Sequence, residues 1–284
     1  MLVRLDQEDA RNGALVGAKA ARLSSLVGEF PVPPGFCLTA AAFEQWLAQG
    51  QPDAVPQDIG TLLDRAYQEF AARVGTANPR MAVRSSGADE DSRSASSAGQ
   101  YETFLNVAGV TELRKAVLRC WQSAHTSRVL AYRGQHSQKP GDIRMAVLIQ
   151  ELIAADISIV AFSVNPVTGA QTEVVINAVW GLGPSLADGT ATPDTYIVSK
   201  SDLTLIRRDI GAKERMTILK PSGVEEVVVP RLMRSQAVLN EKQVTETARL
   251  ACASEARMGW PADIECVFKG GTILLLQCRP VTTL

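Results

Sequence analysis

The spacing of apolar residues changes close to residue 142, and this change limits the folds open to the chain more than any other feature. Before the polar stretch Gly134–Gly141, apolar residues recur mainly every three or four positions, which is typical of amphipathic helices. After it, short β-rich runs are separated by Gly, Pro and Asn, which indicates strands. The sequence therefore predicts an α+β protein with a helical first lobe, 1–142, and a mainly β second lobe, 143–284. A cleft between two lobes is a common place for a small-molecule site.

Individual segments support this division. Thr39 can cap a helix whose apolar residues begin at Phe43, and Asn240 with Gln243 matches a capping box for a helix that reaches about Met258. In the first lobe we also predict helices over 59–74 and 111–133 and one buried strand over 81–83. The β-rich runs of the second lobe are 144–152, 157–164, 173–180, 195–199, 203–208, 263–268 and 272–278.

Composition excludes several classes of protein. The formal net charge is −1, whereas a nucleic-acid binder needs a basic excess to displace counterions from phosphates. The longest apolar stretch, Met145–Val164, contains Glu151 and Asp156, and charges are costly in a bilayer, so no membrane span is predicted. The first residues do not resemble a secretory signal, and the five cysteines are scattered, which is typical of a reducing compartment. We expect a cytoplasmic protein that binds neither nucleic acid nor a membrane.

The loop Arg84–Gln100 is rich in Ser, Gly and Ala and follows the predicted strand 81–83. Small side chains let backbone N–H groups approach an anion closely, and serine hydroxyls add further donors. The loop is therefore a candidate phosphate cradle. On composition alone, a flexible surface linker is the favoured alternative.

The segment Gly13–Ala20 resembles an incomplete Walker A sequence. Ala18 stands where a glycine would precede the lysine, and Ala20 stands where a Ser or Thr would bind Mg²⁺. Lys19, near the start of a short helix, can face a phosphate. The alternative is a solvated surface lysine.

The C-terminal hairpin places a carboxylate, an amide and a guanidinium close together in sequence. Side chains alternate between faces along a strand, so Gln277 and Arg279 share a face, as do Asp263 and Glu265. A plain two-residue turn at Gly270–Gly271 would place Glu265 and Gln277 on opposite faces. If the two strands form one metal and phosphate site, the hairpin must contain a three-residue loop or a bulge. The alternative is an exposed polar sheet face.

Taken together, several segments in order resemble the ATP-binding domain of the pyruvate phosphate dikinase, phosphoenolpyruvate synthase and rifampicin phosphotransferase family. They run from about residue 13 to residue 282 and read LVGAKAARLSSL, FPVPPGFCLTAAAF, MAVRSSGADEDSRSASSAGQYETFLNV, VLIQELI, FSVNPVTG, AVWGLGPSLADGTATPDTY and IECVFKGGTILLLQCRPVT. The resemblance implies an ATP-grasp-like, two-lobed nucleotide-binding fold in which adenine lies between the lobes and mobile loops cover the phosphates.

The resemblance also assigns roles to individual residues. It implies that basic side chains and one backbone group contact the phosphates, that the interlobe hinge recognises adenine, and that the hairpin holds Mg²⁺. The phosphate contacts are Lys19, Arg84 and Gly99, the hinge residues are Gln150 and Leu152, the Mg²⁺ ligands are Glu265 and Gln277, and the arginine near the transferred phosphate is Arg279.

The chain departs from the family pattern at four positions. Ala18 and Ala20 replace glycines beside the lysine, and Arg22 replaces an asparagine. A methyl group at Ala18 limits how closely the backbone can approach a phosphate. Asn165 replaces an aspartate, which removes one negative charge.

Family members carry the histidine that accepts phosphate on a separate swivelling domain, and acceptor binding on a further domain. The two histidines here, His125 and His136, lie in segments that do not resemble that carrier. We therefore expect an ATP- and Mg²⁺-dependent phosphotransferase module that transfers the β-phosphate, with release of AMP, to a histidine of another domain or chain. The alternatives are a free-standing ATP-grasp ligase or small-molecule kinase, and a non-catalytic ATP-binding subunit.

Overall fold

A computed structural model describes residues 1–87, 102–124 and 144–282, and these residues form two compact units. The first unit contains residues 1–27 and 33–152, and the second contains residues 28–32 and 153–284. The division follows residue 152, whereas the change in apolar spacing falls near residue 142. The reason is that the strand over 145–151 pairs with two strands of the first unit. The expected α+β class is confirmed.

The first unit contains an antiparallel five-stranded sheet with the order β1-β2-β5-β3-β4. Only part of β3 was expected from the sequence of the first lobe. The first two strands have only three and four residues, too few to show a clear alternating pattern. The strands are β1 (Leu2–Arg4), β2 (Gly35–Leu38), β3 (Arg80–Gly87), β4 (Thr103–Ala108) and β5 (Met145–Glu151).

Helices cover both faces of this sheet. On one face, buried residues of β3 and β5 join the core formed with three helices, and Trp46 and Trp121 pack there with ring centroids 5.6 Å apart. On the other face lies the first helix of the chain, next to β3 and β5. The helices are α1 (Gly13–Ser24), α2 (Ala40–Ala48), α3 (Gln57–Val74) and α4 (Val110–Ser123).

The predicted helices of the first lobe are present. Thr39 occupies the N-cap position of α2, but its side chain makes no capping hydrogen bond. The predicted helix over 111–133 corresponds to α4, and the part of that prediction beyond residue 124 lies outside the described residues.

The second unit contains an antiparallel six-stranded sheet with the order β13-β12-β6-β7-β8-β9 and a separate β10–β11 hairpin. The predicted capping box at Asn240 and Gln243 is confirmed and begins a long helix that packs on the sheet. The strands are β6 (Ile157–Phe162), β7 (Glu173–Trp180), β8 (Asp194–Ser199), β9 (Leu205–Asp209), β10 (Arg215–Leu219), β11 (Val224–Val228), β12 (Ala262–Lys269) and β13 (Thr272–Pro280). The helices are α5 (Pro184–Ala187), α6 (Arg231–Arg234) and α7 (Glu241–Met258).

A buried ion pair fastens three segments of the second unit. Lys213, which is fully buried, donates to Asp194 at the start of β8. Asp194 also accepts from the backbone N–H groups of Gly211, at 2.9 Å, and Val238, at 2.7 Å. Buried charges are tolerated when they are paired and hydrogen-bonded in this way. The pair thus holds the 211–213 loop and the segment before α7 against the sheet.

Among the described residues, no helix has both the length and the apolar character needed to cross a membrane.

Candidate functional site

Helix α1 is interrupted at Gly17, and the interruption places Lys19 near the end of β3. Gly17 has φ +78° and ψ 165°, so the helix starts again directly after it. A Cβ atom at this position would lie 2.1 Å from the carbonyl oxygen of Ser86. Only glycine fits both the backbone conformation and the contact. The second part of α1 therefore begins against β3.

The first turn of this second helical part is bonded to β3. The Ala20 N–H donates to Ser86 Oγ at 3.2 Å, and Lys19 Nζ donates to the Ser85 carbonyl oxygen at 3.1 Å. Lys19 is half-buried. The structure thus places this lysine against the strand that carries Arg84. The alternative interpretation, a freely solvated surface lysine, is therefore wrong.

Arg84 and Gln150 lie on the same face of the first sheet. In the β3–β5 ladder, Ala82 is opposite Gln150 and Arg84 is opposite Leu148, and directly opposed residues share a face. The intervening residues Val83 and Ile149 point into the helical core on the other side. Ser86 lies on the same face as Arg84, and its hydroxyl is bonded to α1. Helix α1 therefore covers the face that carries Arg84 and Gln150.

The predicted hinge residues are held by the neighbouring strands. Gln150 is 1% exposed, and its Nε2 donates to the Pro33 carbonyl oxygen at 3.1 Å. The backbone N–H of Leu152 donates to the Arg80 carbonyl oxygen at 2.9 Å. Between them, burial raises the pKa of the Glu151 carboxyl above its ordinary value. The backbone of the predicted hinge residues, Gln150 and Leu152, is therefore hydrogen-bonded to strands of the first sheet.

Three residues singled out in the sequence lie outside the described residues. They are Gly99, which the resemblance places at the phosphates, and the two histidines His125 and His136. The cradle proposed for Arg84–Gln100 is described only as far as Gly87, where its first residues form the end of β3.

The hairpin of β12 and β13 contains the bulge that a shared site requires. Lys269 pairs with Thr272 across a two-residue turn, and Cys266 pairs with Leu275. The register then shifts by one residue, so that Glu265 pairs with Gln277. Leu276 is the extra residue of a β-bulge, which bends the strand and changes which side chains share a face. The sequence predicted either a three-residue loop or a bulge, and the structure contains the bulge.

The bulge brings four polar side chains onto one face of the second sheet. Gln277 Nε2 lies 3.1 Å from Glu265 Oε1, and Arg279 Nε lies 2.9 Å from Asp263 Oδ2. Asp263 is 6% exposed, whereas Glu265 and Arg279 are half-buried. Asp263 was not predicted as a site residue, although its position two residues before Glu265 was a usable signal. It holds the guanidinium beside the Glu265–Gln277 pair.

The Glu265–Gln277 pair is compatible with Mg²⁺. Carboxylate and amide oxygens are ligands that this ion accepts, and it commonly keeps several waters and binds substrate phosphates. No group of three His, Cys, Asp or Glu side chains suited to a metal occurs among the described residues. The residues thus fit a metal that takes one carboxylate and one amide from the protein and its other ligands from phosphate and water.

The structure explains Asn165, which departs from the family pattern. Its Oδ1 accepts from the backbone N–H groups of Val167, at 3.0 Å, and Thr168, at 3.2 Å, and so stabilises the β6–β7 turn. Its Nδ2 donates to Glu173 Oε2 at 2.8 Å. An ionised aspartate could make the first contacts but would repel Glu173. The amide therefore fits the carboxylate on the next strand.

Lys19 and Arg84 in the first unit, and Glu265, Gln277 and Arg279 in the second, are residue types that bind phosphate or Mg²⁺. The family model of the pyruvate phosphate dikinase AMP/ATP-binding domain matches residues 51–284, more than half of the chain. The chain belongs to this family.

Relatives with similar sequences are longer than this chain. It is 32% identical to a probable phosphoenolpyruvate synthase of Methanocaldococcus jannaschii, covering 99% of this chain and 26% of the relative. It is 35% identical to an uncharacterized phosphotransferase of Bacillus subtilis, covering 99% and 35%, respectively. For the phosphoenolpyruvate synthase of Pyrococcus furiosus the identity is 30%, over 95% of this chain and 42% of the relative. The chain thus spans less than half the length of these relatives.

Among solved structures, the D-alanine-D-alanine ligase from Coxiella burnetii aligns with 92% of this chain and 46% of its own, at 14% identity and a TM-score of 0.36. A TM-score of this size does not define a fold, so the α+β assignment rests on the topology described above.

Proposed function

We propose that this chain is the ATP- and Mg²⁺-dependent module of a phosphotransferase with an ATP-grasp-like fold. It transfers a phosphoryl group, the β-phosphate with release of AMP, to a histidine on another domain or chain. The observation that supports this most directly is the bulge at Leu276, which puts Glu265, Gln277 and Arg279 on one face. Without it, the amide and the carboxylate would point in opposite directions.

The chemistry of phosphoryl transfer suits these residues. The transition state spreads negative charge over the phosphoryl oxygens, so catalysis depends on positioning and on nearby positive charge, and no side-chain base is obligatory. Arg279 supplies a guanidinium whose direction is fixed by Asp263. When bound, Mg²⁺ would neutralise phosphate charge at Glu265 and Gln277.

The first unit supplies the remaining contacts in this proposal. Lys19 and Arg84 bind the phosphates, together with the backbone at Gly99. Gln150 and Leu152 recognise adenine. Because the Leu152 N–H is bonded to Arg80, its carbonyl oxygen is the group left to accept from the adenine amino group.

Partners follow from the length of the relatives. The matched relatives are two to four times longer than the aligned region, which leaves room in them for other domains. We propose that a histidine-bearing carrier and an acceptor-binding domain or subunit complete the reaction.

The reaction is tested by identifying the nucleotide product. The chain is incubated with ATP and Mg²⁺, with and without a separately supplied histidine-bearing carrier domain. AMP should form only when the carrier is present. Formation of ADP as the sole product would contradict the proposal, and ADP formed with a small acceptor alone would favour a small-molecule kinase or ligase. ATP binding without turnover under every condition would indicate a non-catalytic subunit.

The site assignment is tested in the same assay. Replacement of Glu265, Gln277 or Arg279 by Ala should abolish turnover while the thermal unfolding transition stays cooperative. Arg279→Lys is included because it keeps a positive charge beside the buried Asp263 carboxylate, which accepts from Arg279. Glu225→Ala, on the exposed β11 strand, is the matched control and should keep full activity. Unchanged turnover in all three site variants would rule out this assignment.

A further inference from the structure

Asn177 and Thr195 form a polar pair in the interior of the second sheet. Asparagine is depleted in strands, because its short polar side chain competes for backbone hydrogen bonds. The neighbours of Asn177 on the same face of β7 are Val175 and Val179, which are both buried. An amide at this position therefore needs an explanation.

The strand register places this pair in line with the metal-compatible residues. Glu265 is opposite Val160, Val160 is opposite Asn177, and Asn177 is opposite Thr195. Directly opposed residues share a face, so these side chains form one row across β12, β6, β7 and β8. The backbone of Asn177 lies two strand spacings, about 10 Å, from that of Glu265.

A hydrogen bond fixes which atoms the amide presents. Thr195 Oγ1 donates to Asn177 Oδ1 at 2.9 Å. The carbonyl oxygen of the amide is thereby engaged, and its Nδ2 carries two N–H donors. Asn177 is half-buried, so solvent or a ligand can reach it. With its oxygen turned toward Thr195, the amide presents its Nδ2 donors, which suit a partner that only accepts, such as a phosphate oxygen.

We infer that Asn177 donates a hydrogen bond to an oxygen of the phosphate chain of the bound nucleotide, and that Thr195 is the residue that positions its amide. This inference rests on the proposed function, because it requires ATP to lie over the face that carries Glu265. The row of side chains then contacts the phosphates from two sides, through the metal ligands at one end and through the Asn177 amide at the other.

The test is calorimetric titration of the full chain with Mg²⁺-ATP and with adenosine. A hydrogen bond to a charged group contributes enough that Asn177→Ala should weaken ATP binding by about tenfold to a hundredfold. Adenosine binding should not change. Asn177→Asp should weaken ATP binding more than Asn177→Ala does, because a carboxylate has no donor and repels phosphate.

The Thr195 variants separate positioning from packing. Thr195→Val keeps the shape of the side chain but loses the hydroxyl, so it should weaken ATP binding by less than Asn177→Ala does. Thr195→Ser keeps the hydroxyl and should bind ATP like the wild type. Thermal unfolding of every variant is recorded to confirm that it is folded.

Four outcomes would overturn the inference. Equal weakening of ATP and adenosine binding would place the contact away from the phosphates. A fall in unfolding temperature with unchanged ATP affinity would show that the pair is only structural. If Glu265→Ala loses ATP binding while both Asn177 variants keep it, the inference fails and the proposed function stands. If the wild-type chain binds no ATP, both fail together.

Discussion

The candidate residues fall into two halves, one within each unit, that are built in different ways. In the first unit, Lys19, Arg84 and Gln150 are far apart in the chain, and the β3–β5 register together with the break in α1 brings them to one face. In the second unit, Asp263, Glu265, Gln277 and Arg279 belong to a single hairpin, and one extra residue aligns them.

Both halves depend on a local departure from regular geometry, but of different kinds. At Gly17 the requirement is the absence of a side chain, because backbone atoms of β3 occupy the space where a Cβ atom would be. At Leu276 the requirement is the number of residues in the strand. The first half should therefore be sensitive to added volume, and the second to added or removed chain length.

The largest effect is expected from Gly17→Ala. The added Cβ atom would lie 2.1 Å from a backbone oxygen of β3, and the residue would keep φ +78°, a conformation that costs an L-residue about 1–3 kcal/mol by itself. We expect a loss of at least about 3 kcal/mol in the free energy of unfolding, measured by urea denaturation. ATP binding should be lost as well.

Gly109→Ala is the control for this change. Gly109 is the N-cap of α4 in the same unit with φ +82° and ψ 154°, close to the angles of Gly17, but among the described residues nothing beyond its chain neighbours lies within 4 Å of the position that an added methyl group would take. It isolates the conformational cost, so its loss of stability should be clearly smaller. Equal losses in the two variants would show that the contact of Gly17 with β3 has no special importance.

A smaller effect on the fold, but a large one on the site, is expected from changing the length of β13. Insertion of one Ala between Leu276 and Gln277 should turn Gln277 and Arg279 to the opposite face, because a shift of one residue reverses every side chain. Deletion of Leu276 should remove the bulge and leave Gln277 opposite Glu265. The measurement is the Mg²⁺ dependence of ATP binding, which the insertion should abolish and the deletion should retain. Retention in both variants would mean that the bulge does not build the site.

The hairpin could be analysed from the sequence because its constraint is local. Parity within 18 consecutive residues required a bulge or a longer loop, and the bulge is present. Its position between Glu265 and Cys266 was not predictable, because any point between the turn and Gln277 would satisfy the same parity. The Asp263–Arg279 ion pair follows from the same register and could have been deduced with it.

The first half could not be assembled from the sequence in this way. Strands β1 and β2 have three and four residues, too few for a clear alternating pattern. The β3–β5 pairing joins segments about 65 residues apart, and β5 was grouped with the β-rich second lobe because it is followed by strands. The Walker A-like segment offered Lys19 as a phosphate ligand, but only the family resemblance favoured this over a solvated surface lysine, and the role of Gly99 remains a prediction.

The smallest expected effect concerns pH and again separates the halves. At the hairpin tip, Asp156 accepts from Lys269 Nζ and from the Gly270 N–H, each at 2.8 Å. The hydrogen bond from Lys269 is the main cause that holds the pKa of Asp156 below its ordinary value of 3.8. A carboxyl whose pKa is lower in the folded state stabilises the fold above its unfolded pKa, and this contribution is lost as the pH falls through the folded pKa.

Asp156→Asn should therefore be slightly less stable than the wild type at pH 6, and urea denaturation at pH 3 should show a smaller difference. In the first unit, Ser24 Oγ donates to the Leu5 carbonyl oxygen at 2.8 Å, and neither group titrates in this range, so Ser24→Ala should change stability equally at both pH values. A difference for Asp156→Asn that is the same at pH 6 and pH 3 would show that its carboxylate charge does not hold the tip.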